Sequence, residues 1–169
     1  GNQLSAEGGK VQVVNNPLQN AGIAAAEFSD GAKPVLELKS RFATLDRAID
    51  FGAKRSEANE DVSRFVLSTE LKPTDCIVKT TADKITAGVK GDVEKARAIY
   101  NWIVDNTFRD PKTRGCGVGD IKYMLETNSM GGKCADINAL FVALARASGV
   151  PARDVYGVRV ADSKIGYKS

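Results

Sequence analysis

The stretch formed by residues 131–153 constrains the fold of this chain most strongly, because it specifies one helix together with both of its ends. Residues 135–148 contain no proline or glycine and are rich in alanine and leucine, which favour helix. Gly149 is suited to the left-handed position that follows a helix, and Pro151 prevents the helix from continuing. Alanine and larger apolar residues cover most of this helix, so we expect it to be central and buried.

Cys134 stands at the beginning of this helix, and that position bears on its chemistry. A thiol in the first turn faces unpaired backbone N–H groups and the positive end of the helix dipole, and both favour the thiolate. Lys133 would add to this stabilisation, whereas Asp136 in the same turn would oppose it. We expect Gly131 and Gly132 to form a sharp turn that leaves room for a substrate backbone. The alternative is a structural cysteine, because free cysteines usually behave as small buried hydrophobic residues.

Several motifs around Cys134 together resemble one family, the transglutaminase-like cysteine enzymes and in particular their bacterial protease or acyltransferase core. In chain order, these motifs lie at residues 94–104, 116–120, 123–125, 132–136, 140–146, 149–153 and 156–157. Their order and spacing match the family, and the resemblance covers residues 73–160. No part of it falls in the first seventy residues.

The resemblance implies a fold class and a chemistry. The fold would be α+β on a papain-like, transglutaminase-core scaffold, mostly helical in this chain and with the sheet largely missing. Cys134 would be the nucleophile of a Cys-His-Asp triad that transfers an acyl group through a thioester. A protein or peptide would be the substrate, attacked either at a glutamine side chain or at a peptide bond.

The chain departs from the family pattern because it contains no histidine. A general base must lie within hydrogen-bond reach of the thiol and titrate near neutrality, but carboxylates are ordinarily too acidic and lysines too basic. Two explanations fit: a fragment whose His and Asp partners lie outside this chain, or a natural non-catalytic relative used for binding or assembly. We expect the fragment, and we expect this chain alone to be inactive.

We expect three regions along the chain. Residues 1–33 would be a flexible N-terminal arm, with a strand at 11–14; residues 34–72 would be a helical extension; and residues 73–169 would be the N-terminal half of the core. The extension is predicted as helical because Val35, Leu38, Phe42, Leu45, Ile49 and then Val62, Phe65 and Val66 recur at three- and four-residue spacing.

The core region is expected to contain three further helices and one strand. A helix capped by Thr74 or Asp75 should be followed by one from 93 to 108, capped by Asp92, and by a short one at 121–126. Residues 154–160 alternate as a strand does. A strand needs partners, so the missing C-terminal segment, a second copy or the N-terminal arm would pair with it.

Composition excludes several classes of function. The net charge of +3 is small and the basic residues are interspersed with acids, so no nucleic-acid partner is expected, and no stretch is apolar enough to span a membrane. We expect no cofactor and no metal, because the cysteine spacings match no zinc pattern. Cys76 and Cys116 could form a bridge in an oxidising compartment, and Gly1 is typical of a trimmed terminus, which is compatible with an exported, periplasmic parent.

Overall fold

The computed structural model describes residues 3–16, 21–31, 33–41, 43, 45–46, 48–50 and 62–157. The chain divides into two compact units, residues 1–50 and residues 51–169. Helices and strands are both present, so the expected α+β class is confirmed. Compact units and folding domains need not coincide, and the domain boundaries expected after residues 33 and 72 stay predictions.

The described residues of the first unit form two antiparallel strand pairs. Strand β1 (Gln3–Glu7) pairs with β4 (Val35–Lys39), and β2 (Gly9–Asn16) forms a hairpin with β3 (Ala21–Phe28). The strand expected at 11–14 is confirmed and is longer than predicted. Ordered pairing therefore occupies most of the segment expected to be a flexible arm.

The amphipathic helix expected from residue 35 onwards is wrong. Val35–Lys39 form β4, and none of the described residues within 40–50 is helical. Leu36 and Leu38 alternate with charged residues, and they lie opposite apolar residues of β1 in the antiparallel register. In a run of five residues, the apolar spacing of a helix and the alternation of a strand cannot be told apart. The pairing with β1 therefore decided that these residues form a strand. Phe42 lies outside the described residues.

The described part of the second unit, residues 62–157, contains one 3-10 helix and four α-helices. In chain order they are the 3-10 helix Ser63–Val66, α1 (Cys76–Ile85), α2 (Asp92–Asn106), α3 (Ile121–Glu126) and α4 (Cys134–Ala147). The four α-helices are those predicted from the sequence, and the ends of α2, α3 and α4 lie within two residues of the predicted ones. Asp92 is the first residue of α2 and not its cap, since Gly91 with φ +90° takes the capping position.

Helix α4 is the centre of this unit, as predicted. The largest fully buried side chains come from all four helices, and they are Val78, Ile99, Ile121, Leu140 and Leu144. Nine of the fourteen residues of α4 are buried. Because the other three α-helices pack against α4, its two ends are held in place by packing and not by helix propensity alone.

The end of α4 is closed by the cap that the sequence predicts. Gly149 has φ +81°, its N–H donates to the Arg146 carbonyl at 2.9 Å, and the Val150 N–H donates to the Ala145 carbonyl at 2.9 Å. This is a Schellman motif. Lys95 of α2 adds a cation there, because its Nζ donates to the Ser148 carbonyl oxygen at 3.0 Å.

The strand expected at 154–160 is not formed over its described part. Asp154 to Gly157 carry no strand pairing in the described portion of the chain, and residues 158–160 lie outside that portion. Alternation of side chains shows which faces a strand would present, but only a neighbouring strand creates the ladder. Asp154 instead makes an ion pair with Lys72, with Nζ and Oδ2 3.1 Å apart.

Arg146 fastens two flanking segments to α4. Its Nε donates to the Ala152 carbonyl at 2.8 Å and its Nη1 donates to the Leu67 carbonyl at 3.1 Å. The Ala152 N–H in turn donates to the Phe65 carbonyl at 3.0 Å. The segment before α1 and the segment after α4 are therefore joined through one side chain.

We predict that Arg146→Ala lowers the free energy of unfolding by about 2 kcal/mol, because hydrogen bonds from a charged donor are lost at two carbonyls. Urea unfolding measures the change. Arg97→Ala is the control, since Arg97 is an exposed arginine on α2, and it should change the stability by less than about 0.5 kcal/mol. Equal effects of the two substitutions would contradict the role given to Arg146.

Candidate active site

Cys134 is the first residue of α4 and is exposed to solvent. Lys133 precedes it as the N-cap residue in extended conformation. The thiol therefore stands at the end of a helix that is mostly buried. This combination gives a reagent access to the sulfur while the backbone behind it is fixed.

Cys76 shows what helix position alone provides. It is the first residue of α1 and is also exposed. The residue before it is the acidic Asp75, whereas the basic Lys133 precedes Cys134. Both cysteines are the first residue of a helix, so the two sites differ in the charge of the preceding side chain and not in their position relative to the helix dipole.

Asp136 is the best-connected side chain near Cys134. It is only 8% exposed, and its Oδ1 accepts the N–H groups of Val118 at 2.9 Å and Gly119 at 2.8 Å. Its Oδ2 accepts the Lys133 N–H at 3.0 Å, which is one half of a capping box. The carboxylate therefore ties the first turn of α4 to a loop that precedes it by seventeen residues.

Two glycines make room for this carboxylate. A Cβ on Gly117, which has φ +96°, would collide with the Asp136 carboxylate, and a Cβ on Gly132 would lie 2.6 Å from the Asp136 Cβ. Gly119, with φ +75°, would place a Cβ 3.1 Å from the Ala139 side chain. The loop can lie this close to α4 only because these positions lack side chains.

The glycines before Cys134 do not form the expected turn. Gly131 and Gly132 form strand β6, which pairs in parallel with β5 (Phe108–Arg109). A Cβ on Gly131 would lie 2.6 Å from the Phe108 ring. Contacts within the protein therefore explain why both are glycine, and their role in substrate approach stays a prediction.

The loop that Asp136 holds also brings Cys116 to the first turn of α4. The Ala135 N–H donates to the Cys116 carbonyl oxygen at 2.9 Å. Val118 of the same loop is 74% exposed and Phe108 is 63% exposed. Cys116 and Val118 thus lie on the loop that is attached to the first turn of α4, and Phe108 pairs with Gly131, three residues before Cys134.

Sequence reasoning identified Cys134 but missed the anchoring role of Asp136 and the proximity of Cys116. It treated Asp136 only as a charge that opposes the thiolate. The signal was the pair Gly117 and Gly119 together with Gly132, because glycines that approach a helix from two directions suggest a buried acid that binds backbone N–H groups. All three cysteines are free, so no bridge joins Cys76 to Cys116.

The described residues contain no group of three or more His, Cys, Asp or Glu side chains that could hold a metal ion. Within the same ranges, none of the helices has the length and apolar character needed to cross a membrane.

The second unit is thus a helical part of an α+β fold whose central helix begins at an exposed cysteine. The model of the transglutaminase-like superfamily matches residues 79–168, which is more than half of the chain. The chain belongs to this superfamily.

Two further similarities concern longer proteins. The chain is 40% identical over 135 residues to an uncharacterized protein of Haemophilus influenzae, a match that covers 78% of this chain and 37% of that protein. It also resembles a crystal structure described as "a putative protease" from Parabacteroides distasonis, with a TM-score of 0.42 and 20% identity over 89% of this chain and 30% of the other. The chain therefore spans about a third of the length of these proteins.

Proposed function

We propose that this chain carries the nucleophile of a thiol enzyme that transfers or hydrolyses acyl groups of proteins or peptides through a thioester on Cys134. The observation that carries the proposal is the exposed Cys134 at the first position of the buried helix α4, in a chain of the transglutaminase-like superfamily. A cysteine that only filled space in the core would be buried, whereas Cys134 is exposed.

The chemistry would proceed in two steps at Cys134. The thiolate attacks an amide carbonyl carbon, the amine leaves with a proton, and a thioester forms; water or a second amine then takes the acyl group and restores the thiol. Of the two N–H groups nearest the sulfur, that of Ala135 is bound by the Cys116 carbonyl. We assign the stabilisation of the oxyanion, which forms on the carbonyl oxygen, to the Cys134 N–H. This N–H belongs to the first residue of the helix and therefore has no acceptor within the helix.

The base that removes the thiol proton must come from residues outside this chain, because the chain has no histidine. The carboxylate nearest in sequence, that of Asp136, is occupied by three N–H donors. We infer that the His and Asp of the triad belong to a longer gene product that contains this chain.

We predict that the 169-residue chain alone shows no measurable amine incorporation into casein and no casein cleavage. The longer gene product should show one of these activities and lose it by about four orders of magnitude or more in Cys134→Ala. Cys76→Ala is the control and should retain the activity. Turnover by the short chain that Cys134→Ala abolishes would contradict the inference about the base.

An apolar groove favours a second candidate, a non-catalytic binding or assembly domain. The groove has a volume of about 830 Å³ and lies between α2 and α4. Its lining includes Phe65, Ala96, Tyr100, Phe141 and Ala145, and Tyr100 is 58% exposed. Phe141 and Ala145 lie about 10 and 16 Å along the helix from Cys134, and Cys134 is not among the residues that line the groove.

Light scattering tests the second candidate as an assembly domain. If copies of the chain associate through the groove, the mass should rise with protein concentration, and Ala96→Arg should keep the chain monomeric. A wild-type chain that stays monomeric at all concentrations would remove assembly as a function of this groove.

A further inference from the structure

Cys116 and Cys134 stand on either side of a single backbone hydrogen bond. The donor is the N–H of Ala135, the residue that directly follows Cys134, and the acceptor is the carbonyl oxygen of Cys116, 2.9 Å away. Eighteen positions separate the two cysteines in the sequence, so the loop fold and not chain proximity brings them together.

This hydrogen bond limits the distance between the two residues. A carbonyl oxygen lies about 2.4 Å from the Cα of its own residue, and an amide nitrogen lies about 2.4 Å from the preceding Cα. With 2.9 Å between N and O, the Cα atoms of Cys116 and Cys134 are at most about 7.7 Å apart, and any bend in this path brings them closer. Disulfides join Cα atoms that are about 4.4–6.8 Å apart.

Both thiols are exposed, and the loop that carries Cys116 borders open space on one side. Cys116 lies between Gly115, with φ +60°, and Gly117, with φ +96°. A Cβ on Gly115 would meet no atom within 4 Å, whereas Gly117 is held against Asp136. The Cys116 side of the pair therefore borders open space, while Gly117 lies against Asp136 of α4.

We propose that Cys116 and Cys134 form a dithiol modification site, which a hydroperoxide converts to a disulfide that takes Cys134 out of reaction. The statement that this disulfide switches off an activity rests on the proposed function of Cys134. The bond itself depends only on the placement of the two thiols.

The step balances with the hydroperoxide as the oxidant. The Cys134 thiolate attacks the peroxide oxygen, the O–O bond breaks, and a sulfenic acid and an alcohol, or water, are formed. The Cys116 thiol then attacks the sulfenic sulfur, the S–O bond breaks and water leaves. Two thiols have lost two electrons, which reduced the peroxide.

Peptide mapping of the wild-type chain after treatment with dilute hydrogen peroxide tests the proposal. After alkylation and tryptic digestion without reductant, the peptides 115–122 and 134–146 should be found joined and lighter by two hydrogen atoms. Cys76, which is exposed at the start of α1, is the internal control and should remain open to alkylation. Dithiothreitol should restore alkylation of Cys134 in full.

Cys116→Ser provides the matched variant. Without a partner thiol, Cys134 should be oxidised to the sulfinic acid, and dithiothreitol should no longer restore its alkylation. The proposal is overturned if wild-type Cys134 is overoxidised while Cys116 stays free, if the bridge includes Cys76 or a second chain, or if all thiols stay reduced.

The alkylation rate of Cys134 in the reduced chain separates this proposal from the proposed function. A fast-reacting Cys134 that forms no bridge would refute the dithiol site alone. A bridge in a chain whose Cys134 reacts no faster than Cys76 or Cys116 would refute the nucleophile and leave the dithiol site in place.

Discussion

Asp136→Ala should lower the free energy of unfolding by about 3 kcal/mol, because each buried N–H donor left without an acceptor costs about 1–3 kcal/mol. The three donors are the N–H groups of Val118, Gly119 and Lys133, of which Gly119 is buried and the others can recover part of the loss from water. Urea unfolding followed by circular dichroism measures the change.

Asp120→Ala is the matched control for this prediction. Asp120 caps α3 through one hydrogen bond from the Tyr123 N–H, 3.0 Å long, and its loss should cost about 1 kcal/mol. Hydrogen exchange should show lost protection at Val118 and Gly119 in Asp136→Ala but not in Asp120→Ala. If both substitutions have the same effect on stability, Asp136 is an ordinary helix-end acid and not an anchor.

Gly117→Ala should lower the free energy of unfolding by about 3 kcal/mol, because a left-handed backbone costs an alanine about 1–2 kcal/mol and forced overpacking adds about 1–3 kcal/mol. Gly117 has φ +96°, and its Cβ would collide with the Asp136 carboxylate. Gly115→Ala is the control, since Gly115 also has a positive φ, +60°, but faces open space. It should cost about 1 kcal/mol.

The double variant Gly117→Ala with Asp136→Ala tests the contact itself. Removing the carboxylate removes the collision, so Gly117→Ala should cost less in the Asp136→Ala background than in the wild type. Additive effects would show that the two residues do not compete for the same space, which would contradict the described packing.

The sequence was sufficient to predict α4 because its determinants are local. Helix-forming residues, the cap at Gly149 and the break at Pro151 act within one segment, and the structure reproduces both ends of the helix within one residue. The existence of α1 to α3 was also predicted from local patterns. Where the pattern was short and the outcome depended on a distant partner, as at Val35–Lys39, the prediction was wrong because the pairing with β1 decided the structure.

The surroundings of Cys134 depend on contacts that a local pattern does not contain. An acid in the first turn of a helix is ordinarily explained by the helix dipole, so nothing within residues 134–140 shows that Asp136 binds a loop seventeen residues earlier. The position of Cys116 follows from that same anchor. The candidate nucleophile could be predicted from the sequence, whereas the loop that surrounds it could be identified only from the fold.

The rate of iodoacetamide alkylation at each cysteine of the reduced wild-type chain, followed by mass spectrometry at pH 7, tests the central claim most directly. All three thiols are exposed, so access alone does not separate them. The account predicts that Cys134 reacts about tenfold faster than Cys116 and clearly faster than Cys76, which has the same helix position but follows Asp75. A Cys134 that reacts no faster than these two thiols would show that it is not an activated nucleophile.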